Sequence, residues 1–274
     1  MTKLFWLVIV SFVEASSSKP LGIRWNARLD CFYFEVCSIG DKQKYSKREV
    51  LSAIAKLFDP FGGLAPVIVT AKMIMQKVWL DNIGWDDSLL AATEAEWKRF
   101  VLSYPHVNSI RIPRLVQYVP GCSSELHVFS DASTKAYAGV VYIRVESPDG
   151  KIFVNLLSCK TKVAPLKSVS LPRLELCGAV LASDLLKTIV REIDIEFSRI
   201  YCWTDSTIVL GWLKKTPSTW TTFVANRVSR IQENIGNYNW YHVKSEENPA
   251  DLGSEVHPRQ NCLPPACGGT GQVA

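Results

Sequence analysis

The chain of 274 residues lacks the features that mark zinc-finger, disulfide-rich and membrane-spanning proteins. Its eight cysteines form no Cys-x-x-Cys pair and no histidine stands at zinc-finger spacing, which argues against a structural zinc site. Their scatter favours reduced thiols over a disulfide framework. No apolar run approaches the roughly 20 residues that cross a bilayer, so we expect no stable membrane span.

Charge is also scarce, because only 21% of the residues are charged while 47% are apolar. Nine Trp and eleven Phe exclude a disordered chain, and the length allows two modest domains or one large one. The net charge of +5 is mildly basic. It suits a polyanionic partner without identifying one.

Residues 1–18 differ from the rest of the chain and form an apolar leader. Lys3 precedes an apolar run from Leu4 to Val13, and Val13-Glu14-Ala15 resembles a signal-peptidase site. A cleaved signal peptide over residues 1–15 would make the protein secreted, and an uncleaved leader would leave it intracellular. A hydrophobic strand, or a foreign start joined to an older sequence, explains the run equally well.

The first half predicts a small, mostly helical module over residues 19–115, followed by a linker from about Tyr104 to Ser123. Ser46 and Glu49 have capping-box spacing, which predicts a helix start. Asp59-Pro-Phe-Gly-Gly63 ends that helix, and Pro66 favours the start of another. The predicted elements are strands over 21–26 and 31–36 and helices over 46–57, 66–80 and 94–103.

The second half predicts a mixed five-stranded sheet with flanking helices over residues 124–256, and a loose tail over 257–274. Sequential strands joined by short turns imply an antiparallel meander, and the βα units that follow imply parallel additions to it. A basic loop with Lys160, Lys162 and Lys167 connects the meander to a long helix. The predicted strands are 125–131, 136–145, 152–158, 200–204 and 238–243, and the predicted helices are 171–193, 206–214, 221–233 and one opened by Asn248-Pro249.

Four acidic residues lie at the ends of these predicted elements. Asp131 and Asp205 each follow an apolar strand and precede small residues, and parallel neighbouring strands would bring these ends together. Glu175 lies in the first turns of the long helix, and Asp251 follows the N-cap residue Asn248.

Each acid also has an ordinary structural explanation, because turns favour aspartate and helix N-termini favour any acid. The set as a whole favours a metal site, since no Lys or Arg is equally placed to neutralise it. Clustered carboxylates repel in a low-dielectric cleft, and Mg²⁺ with oxygen ligands relieves that repulsion. Two such ions would suit an in-line displacement at phosphorus.

Several motifs together resemble the connection and ribonuclease H region of Bel/Pao-type LTR retrotransposon polyproteins, a segment catalogued under a Pao retrotransposon peptidase family name. The resemblance covers about Lys19 to Ser254. The motifs that carry it are Leu51–Pro60, Ser130–Ser133, Lys162–Lys167, Leu171–Ala179, Trp203–Thr207, Phe223–Val228 and Glu247–Asp251.

The resemblance implies an α+β ribonuclease H-like fold that cleaves the RNA strand of RNA–DNA hybrids with two Mg²⁺ ions, for which Mn²⁺ can substitute. By similarity, Asp131 bridges both ions and Asp251 helps to hold the ion that activates water. Glu175 and Asp205 hold the ion on the leaving-oxygen side. A reverse transcriptase polymerase domain is an implied partner. Candidate phosphate contacts are Lys160, Lys162, Lys167, Arg173, Lys214 and Lys215.

Some family features are missing, and they limit the expected activity. His242 lies on a predicted strand, so the role of a loop histidine in product turnover is not assigned to it. Neither polymerase nor aspartic peptidase activity is expected, because the polymerase palm and an Asp-Ser/Thr-Gly motif are lacking. The alternative function is a catalytically silent remnant or co-opted module that binds nucleic acid or a partner.

Overall fold

A computed structural model describes residues 23–36, 39–40, 42–236 and 239–254. The apolar leader and the predicted tail lie outside these residues. Across the described ranges, no helix combines the length and apolar character needed to cross a membrane.

The first module combines three helices with a small antiparallel sheet of order β1–β2–β3. The capping box is present, because the Ser46 hydroxyl accepts from the Glu49 N–H and the Glu49 carboxylate accepts from the Ser46 N–H. Its core includes Trp97, which is fully buried. The elements are β1 (Ile23–Asn26), β2 (Cys31–Phe34), α1 (Lys47–Ala55), α2 (Ala65–Leu80), α3 (Ala91–Ser103), a 3-10 helix (Tyr104–Ser109) and β3 (Arg111–Pro113).

One expectation for this module was wrong, because the predicted linker from Tyr104 to Ser123 contains the 3-10 helix and β3. Helices make up most of the module beside its small sheet, as predicted. β3 has only three residues and pairs with β2, far away in sequence, through Phe32 and Ile112. Neither a three-residue strand nor a distant partner leaves a periodic signal in the sequence.

The second module is a mixed sheet of order β6–β5–β4–β7–β8, which confirms the predicted α+β, five-stranded, ribonuclease H-like architecture. β4, β5 and β6 are antiparallel neighbours, and β7 and β8 are added in parallel. The strands are β4 (Ser123–Ala132), β5 (Ala136–Glu146), β6 (Ile152–Val163), β7 (Arg199–Thr204) and β8 (Trp240–His242), and the helices are α4 (Leu171–Glu192), α5 (Thr207–Leu213), α6 (Thr222–Ile235) and α7 (Asp251–Ser254).

β6 is longer than predicted, so Lys160 and Lys162 lie on a strand rather than in a basic loop. They pair with Gly139 and Tyr137 at the start of β5. Lysine has low strand propensity, but alternation with apolar and β-branched neighbours and pairing along β5 outweigh it. Lys167 does lie in the loop before α4.

One face of this sheet is covered by helices. Leu126 and Val128 of β4 and Cys202 of β7 point into a core that they share with buried residues of α4 and α6. The opposite face carries the alternate residues of each strand, which include Asp131 of β4, and Asp205 continues the same alternation just after β7.

The two modules pack directly against each other. The Cys159 N–H of β6 donates to the Phe61 carbonyl at 2.7 Å, and the Gln76 side chain of α2 donates to the Ala164 carbonyl at 2.8 Å. Gly62 has φ +89°, and a Cβ there would lie 1.9 Å from the Cys159 carbonyl oxygen. Glycine is therefore required by both backbone conformation and space.

Candidate active site

Asp131 and Asp205 lie beside each other at the ends of two parallel strands. The register pairs Ser130 with Thr204, so the residues that follow them lie at the same edge and on the same sheet face. Asp131 is only 8% exposed, and one oxygen of Asp205, Oδ1, is buried. This placement agrees with the expectation from the sequence that parallel strands would bring the two acids together.

Glu175 approaches this edge because α4 packs unusually close to β4. A Cβ on Gly178 would lie 2.8 Å from the Asp131 carbonyl oxygen, so only glycine permits this helix position. Glu175 precedes Gly178 by three residues, about one helical turn towards the N-terminus. The helix begins at Leu171 with Pro172 in its first turn, as the sequence predicts.

Asp251 also lies near Asp131, but the segment around it is not the helix start that the sequence predicts. Asn248 was predicted to cap a helix opened by Pro249, but α7 begins at Asp251. The buried Asn248 amide instead donates to the Ser130 carbonyl at 3.0 Å, and its oxygen accepts from the Ala250 N–H at 3.2 Å. Asn248 thereby fastens the segment to β4.

Three serine hydroxyls donate to the carboxylates of the site. Ser254 donates to Asp131, Ser206 donates to Glu175 at 2.5 Å, and Ser245 donates to Asp205 at 2.7 Å. The sequence analysis did not identify these donors. Ser206 adjoins Asp205 and has a detectable signal as an N-cap, since it accepts from the Val209 N–H. Ser245 and Ser254 contact acids 40 and 123 residues away, which sequence patterns do not reveal.

The electrostatics show that the acids interact. Burial, with the nearby carboxylates of Asp205 and Asp251, raises the pKa of Asp131 to about 6, although the Ser254 hydroxyl opposes the shift. Burial is the main cause that raises the pKa of Glu175, and the Asp205 carboxylate adds to it. The structure thus brings Asp131, Asp205 and Asp251 together and places Glu175 near Asp205.

The carboxylate oxygens of the four acids suit a hard divalent cation, but they are not arranged around a single point as the ligands of a bound ion would be. Within the described ranges, no three His, Cys, Asp or Glu side chains converge closely enough to hold a metal ion. The serine hydroxyls occupy one oxygen each of Asp131, Glu175 and Asp205. The buried Oδ1 of Asp205 has no hydrogen-bond partner there, and carboxylate oxygens of this kind are Mg²⁺ ligands.

The six basic residues predicted to contact phosphate are all exposed, but they do not form one patch. Arg173 lies two residues before Glu175, at the start of α4, and Lys167 lies in the preceding loop. Lys160 and Lys162 lie on the edge strand β6. Lys214 and Lys215 follow the far end of α5, a helix about 10 Å long at the helical rise per residue that starts two residues after Asp205.

An arginine that the sequence analysis did not assign lies beside Arg173. The guanidinium of Arg227 on α6 is 3.5 Å from the ring centre of Phe223, and that of Arg173 is 5.0 Å from the same ring. Arg227 also donates to the Cys177 sulfur at 3.3 Å. The spacing of Phe223 and Arg227, four residues on a helix, was the available signal.

Trp212 and Trp220 pack on the helical side of the sheet. The Trp220 ring nitrogen donates to the Trp212 carbonyl at 3.1 Å, and both rings are partly buried against the core. This contact favours a role in core packing over nucleotide stacking for both rings.

Comparison with known proteins places these features in a family context. The sequence profile described as Pao retrotransposon-like RNaseH-like domain matches residues 46–206, more than half of the chain. A search of curated proteins gives no significant match.

Solved structures with similar folds share little sequence with this chain. The N-terminal RNase H domain of a Mycobacterium tuberculosis protein is 13% identical, with 48% of this chain and 91% of that chain covered and a TM-score of 0.32. RNase H1 of Halobacterium salinarum is 15% identical, with 47% and 90% covered and a TM-score of 0.30.

A foamy viral protease-reverse transcriptase, determined with an RNA/DNA hybrid, is 13% identical, with 79% of this chain and 29% of that chain covered and a TM-score of 0.42. Because all three TM-scores are below 0.5, we infer nothing about activity from these likenesses.

Proposed function

This chain belongs to the Pao retrotransposon-like RNaseH-like family, and we propose that it hydrolyses the RNA strand of RNA–DNA hybrids. The observation that supports this most directly is the group of acids at one sheet edge, where burial, together with the neighbouring carboxylates of Asp205 and Asp251, raises the pKa of Asp131 to about 6. Such mutual repulsion costs stability, and perturbed acids of this kind cluster at functional sites.

The acids have distinct tasks in this proposal. When bound, Mg²⁺ supplies a Lewis acid and activates water for attack at phosphorus. Asp131 and Asp251 would hold the ion on the water side, while Asp131, Glu175 and Asp205 would hold the one on the leaving-oxygen side. The serines then act as positioning residues, because each fixes one carboxylate oxygen.

Substrate binding would use the exposed cations nearest the acids. Arg173 lies on the same helix as Glu175, and the shared Phe223 ring keeps Arg173 and Arg227 close together. Guanidinium groups recognise phosphate oxygens in pairs of hydrogen bonds, and contacts with 2′-hydroxyls distinguish RNA from DNA. A reverse transcriptase polymerase domain would be the natural partner that supplies hybrid.

A second candidate function is nucleic-acid binding without catalysis. One observation favours it: in the described part of the chain, the acids are not close enough to form a metal-binding group. A remnant or co-opted module would keep the fold and the basic residues while the carboxylates remain fixed by serine hydroxyls.

The deciding experiment is hybrid cleavage by the full chain with Mg²⁺, with Mn²⁺ and with chelator. We expect metal-dependent cleavage of the RNA strand by the parent, and a loss of at least about 100-fold in Asp131→Asn, because that substitution removes the charge of the central ligand. The exposed turn residue Asp149 provides the matched control, Asp149→Asn, which should cut like the parent.

The alternative outcomes are distinct. Equal cleavage by Asp131→Asn and the parent would show that the site is wrongly assigned. Binding of hybrid without cleavage in either metal would instead favour the non-catalytic module.

A further inference from the structure

The sheet face that carries the acids also carries a band of aromatic side chains. On β4 the residues Leu126 and Val128 face the helices, so His127 and Phe129 face the other way. Tyr201 and Trp203 of β7 alternate with Ile200 and Cys202 in the same manner. We name this surface the aromatic band; it consists of His127, Phe129, Tyr142, Tyr201, Trp203 and Tyr241.

Strand register places these rings in rows across four adjacent strands. His127 is paired with both Tyr142 and Tyr201, while Phe129 is paired with Trp203, which is in turn paired with Tyr241. The centres of the rings are 5.2 Å apart for His127 and Tyr201, and 5.4 Å apart for Trp203 and Tyr241. The band is therefore a continuous aromatic surface.

This surface leads directly to the acidic residues. Phe129 precedes Asp131 by two residues on β4, and Trp203 precedes Asp205, the residue just after β7, by two residues. Two residues of a strand span about 7 Å. A chain lying along β4 and β7 would pass from the rings to the carboxylates without leaving the face.

Exposure varies along the band: Tyr241 is exposed, and its other five side chains are partly buried. At the acid end, Ala250 packs against Ala138 and Val140, and Phe129 and Tyr142 lie at the margin of that contact. Tyr241, on the edge strand β8, is 41% exposed. The Trp203 ring nitrogen is buried and has no hydrogen-bond partner among the described residues, so no hydrogen bond fixes that ring in place.

A cation lies at the end of the band farthest from the acids. Arg199 is exposed and donates to the Tyr201 hydroxyl at 3.2 Å, which holds the guanidinium beside the rings. The neighbouring Arg144 contributes less charge, because it forms ion pairs with Glu125 and Glu146 at 3.4 Å and 3.1 Å. Arg199 is thus the better placed of the two to contact a phosphate.

We propose that the aromatic band binds single-stranded nucleic acid, with unpaired bases stacked on its rings and a phosphate held by Arg199. Every base has a face that stacks on aromatic side chains, and sheets with exposed rings bind single strands in this way. A duplex conceals its base faces, so the band favours unpaired strands over hybrid. This site is additional to the proposed function and does not depend on cleavage.

The test is a binding titration of the full chain with labelled oligothymidylate and oligouridylate, in chelator so that nothing is hydrolysed. We expect both strands to bind, and Tyr241→Ala and Arg199→Ala each to weaken binding by about tenfold, since stacking and charge contribute energies of this size. Two matched controls replace exposed residues far from the band. Trp79→Ala on α2 and Arg191→Ala on α4 should bind like the parent.

Thermal melting of each variant checks that it is folded before binding is compared. Parent-like binding by a folded Tyr241→Ala, or no binding of either strand by the parent, would overturn the proposal. Self-association of the parent that is lost in Tyr241→Ala, without oligonucleotide binding, would show that the band instead contacts a second copy. Hybrid cleavage is measured separately, so a catalytically silent chain that binds single strands still supports the band.

Discussion

Asp59 of the first module and Asp131 of the second both have a pKa that is raised chiefly by burial, and the surroundings of the two carboxylates differ sharply. Asp59, in the turn before α2, accepts from the N–H groups of Gly62, Gly63 and Leu64 at 2.9, 3.0 and 2.6 Å. Asp131 accepts from the Ser254 hydroxyl and lies near two other carboxylates.

The difference separates a structural acid from a functional one. Asp59 accepts from backbone N–H groups, and these hydrogen bonds are strongest when its carboxylate is ionised. The charge of Asp59 therefore helps to organise the turn. Two of the neighbours of Asp131 repel its charge, so its ionised form has a cost in the protein alone. Burial by itself therefore does not identify a site residue, whereas the sign of the neighbouring charges does.

The largest effect on stability is expected at Asp59. Asp59→Ala should lower the free energy of unfolding by about 3 kcal/mol, because it leaves three backbone N–H groups without acceptors. Denaturant melts of Asp59→Ala and of the exposed control Asp149→Ala would measure this. A loss no greater than that of the control would mean that the hydrogen bonds at Asp59 do not organise the turn.

Substitution of Asp131, in contrast, is expected to raise the free energy of unfolding. Its folded pKa of about 6 exceeds the ordinary value of 3.8, so its favourable contribution is present below pH 3.8 and is lost as pH rises through about 6. Asp131→Asn should therefore stabilise the metal-free protein by about 2 kcal/mol at pH 8, and by much less at pH 4. Melts in chelator at the two pH values would show it, and destabilisation at pH 8 would contradict the repulsion.

The smallest change in stability is expected from substitution of Ser254. Its hydroxyl lowers the pKa of Asp131, so Ser254→Ala should move that titration to higher pH and cost about 1 kcal/mol of stability at neutral pH. Titration of Asp131 by carboxyl NMR would follow the shift. Ser147→Ala, at an exposed turn, is the control, and an unchanged midpoint in Ser254→Ala would exclude the hydroxyl as a positioning group.

The strand ends that carry Asp131 and Asp205 could be predicted from the sequence, because alternation reveals a strand and an acid after it is easy to see. Their proximity followed from parallel pairing, which β4 and β7 confirm. The start of the last helix could not be predicted, since Asn248 uses its amide to bind the Ser130 carbonyl across the fold.

The remaining differences arise from contacts between residues far apart in sequence. β3 forms because Ile112 pairs with Phe32 of β2. Lys160 belongs to β6 because it pairs with Gly139 of β5. The serine donors to Asp131 and Asp205 are likewise brought by other segments of the chain. Local patterns contain no information about such partners. The catalytic and phosphate-binding roles of the named residues and the domain boundaries remain predictions.

The close approach of Gly62 to Cys159 has a consequence for how this chain can change over time. A side chain at position 62 would collide with the backbone of β6, so no change of side chain at position 159 could relieve the collision. Position 62 is therefore held as glycine by the backbone of the other module, and a copy of the second module that was separated from the first would lose the backbone acceptor of its Cys159 N–H. Contacts made by the first module thus complete the hydrogen bonding of the strand that borders the second.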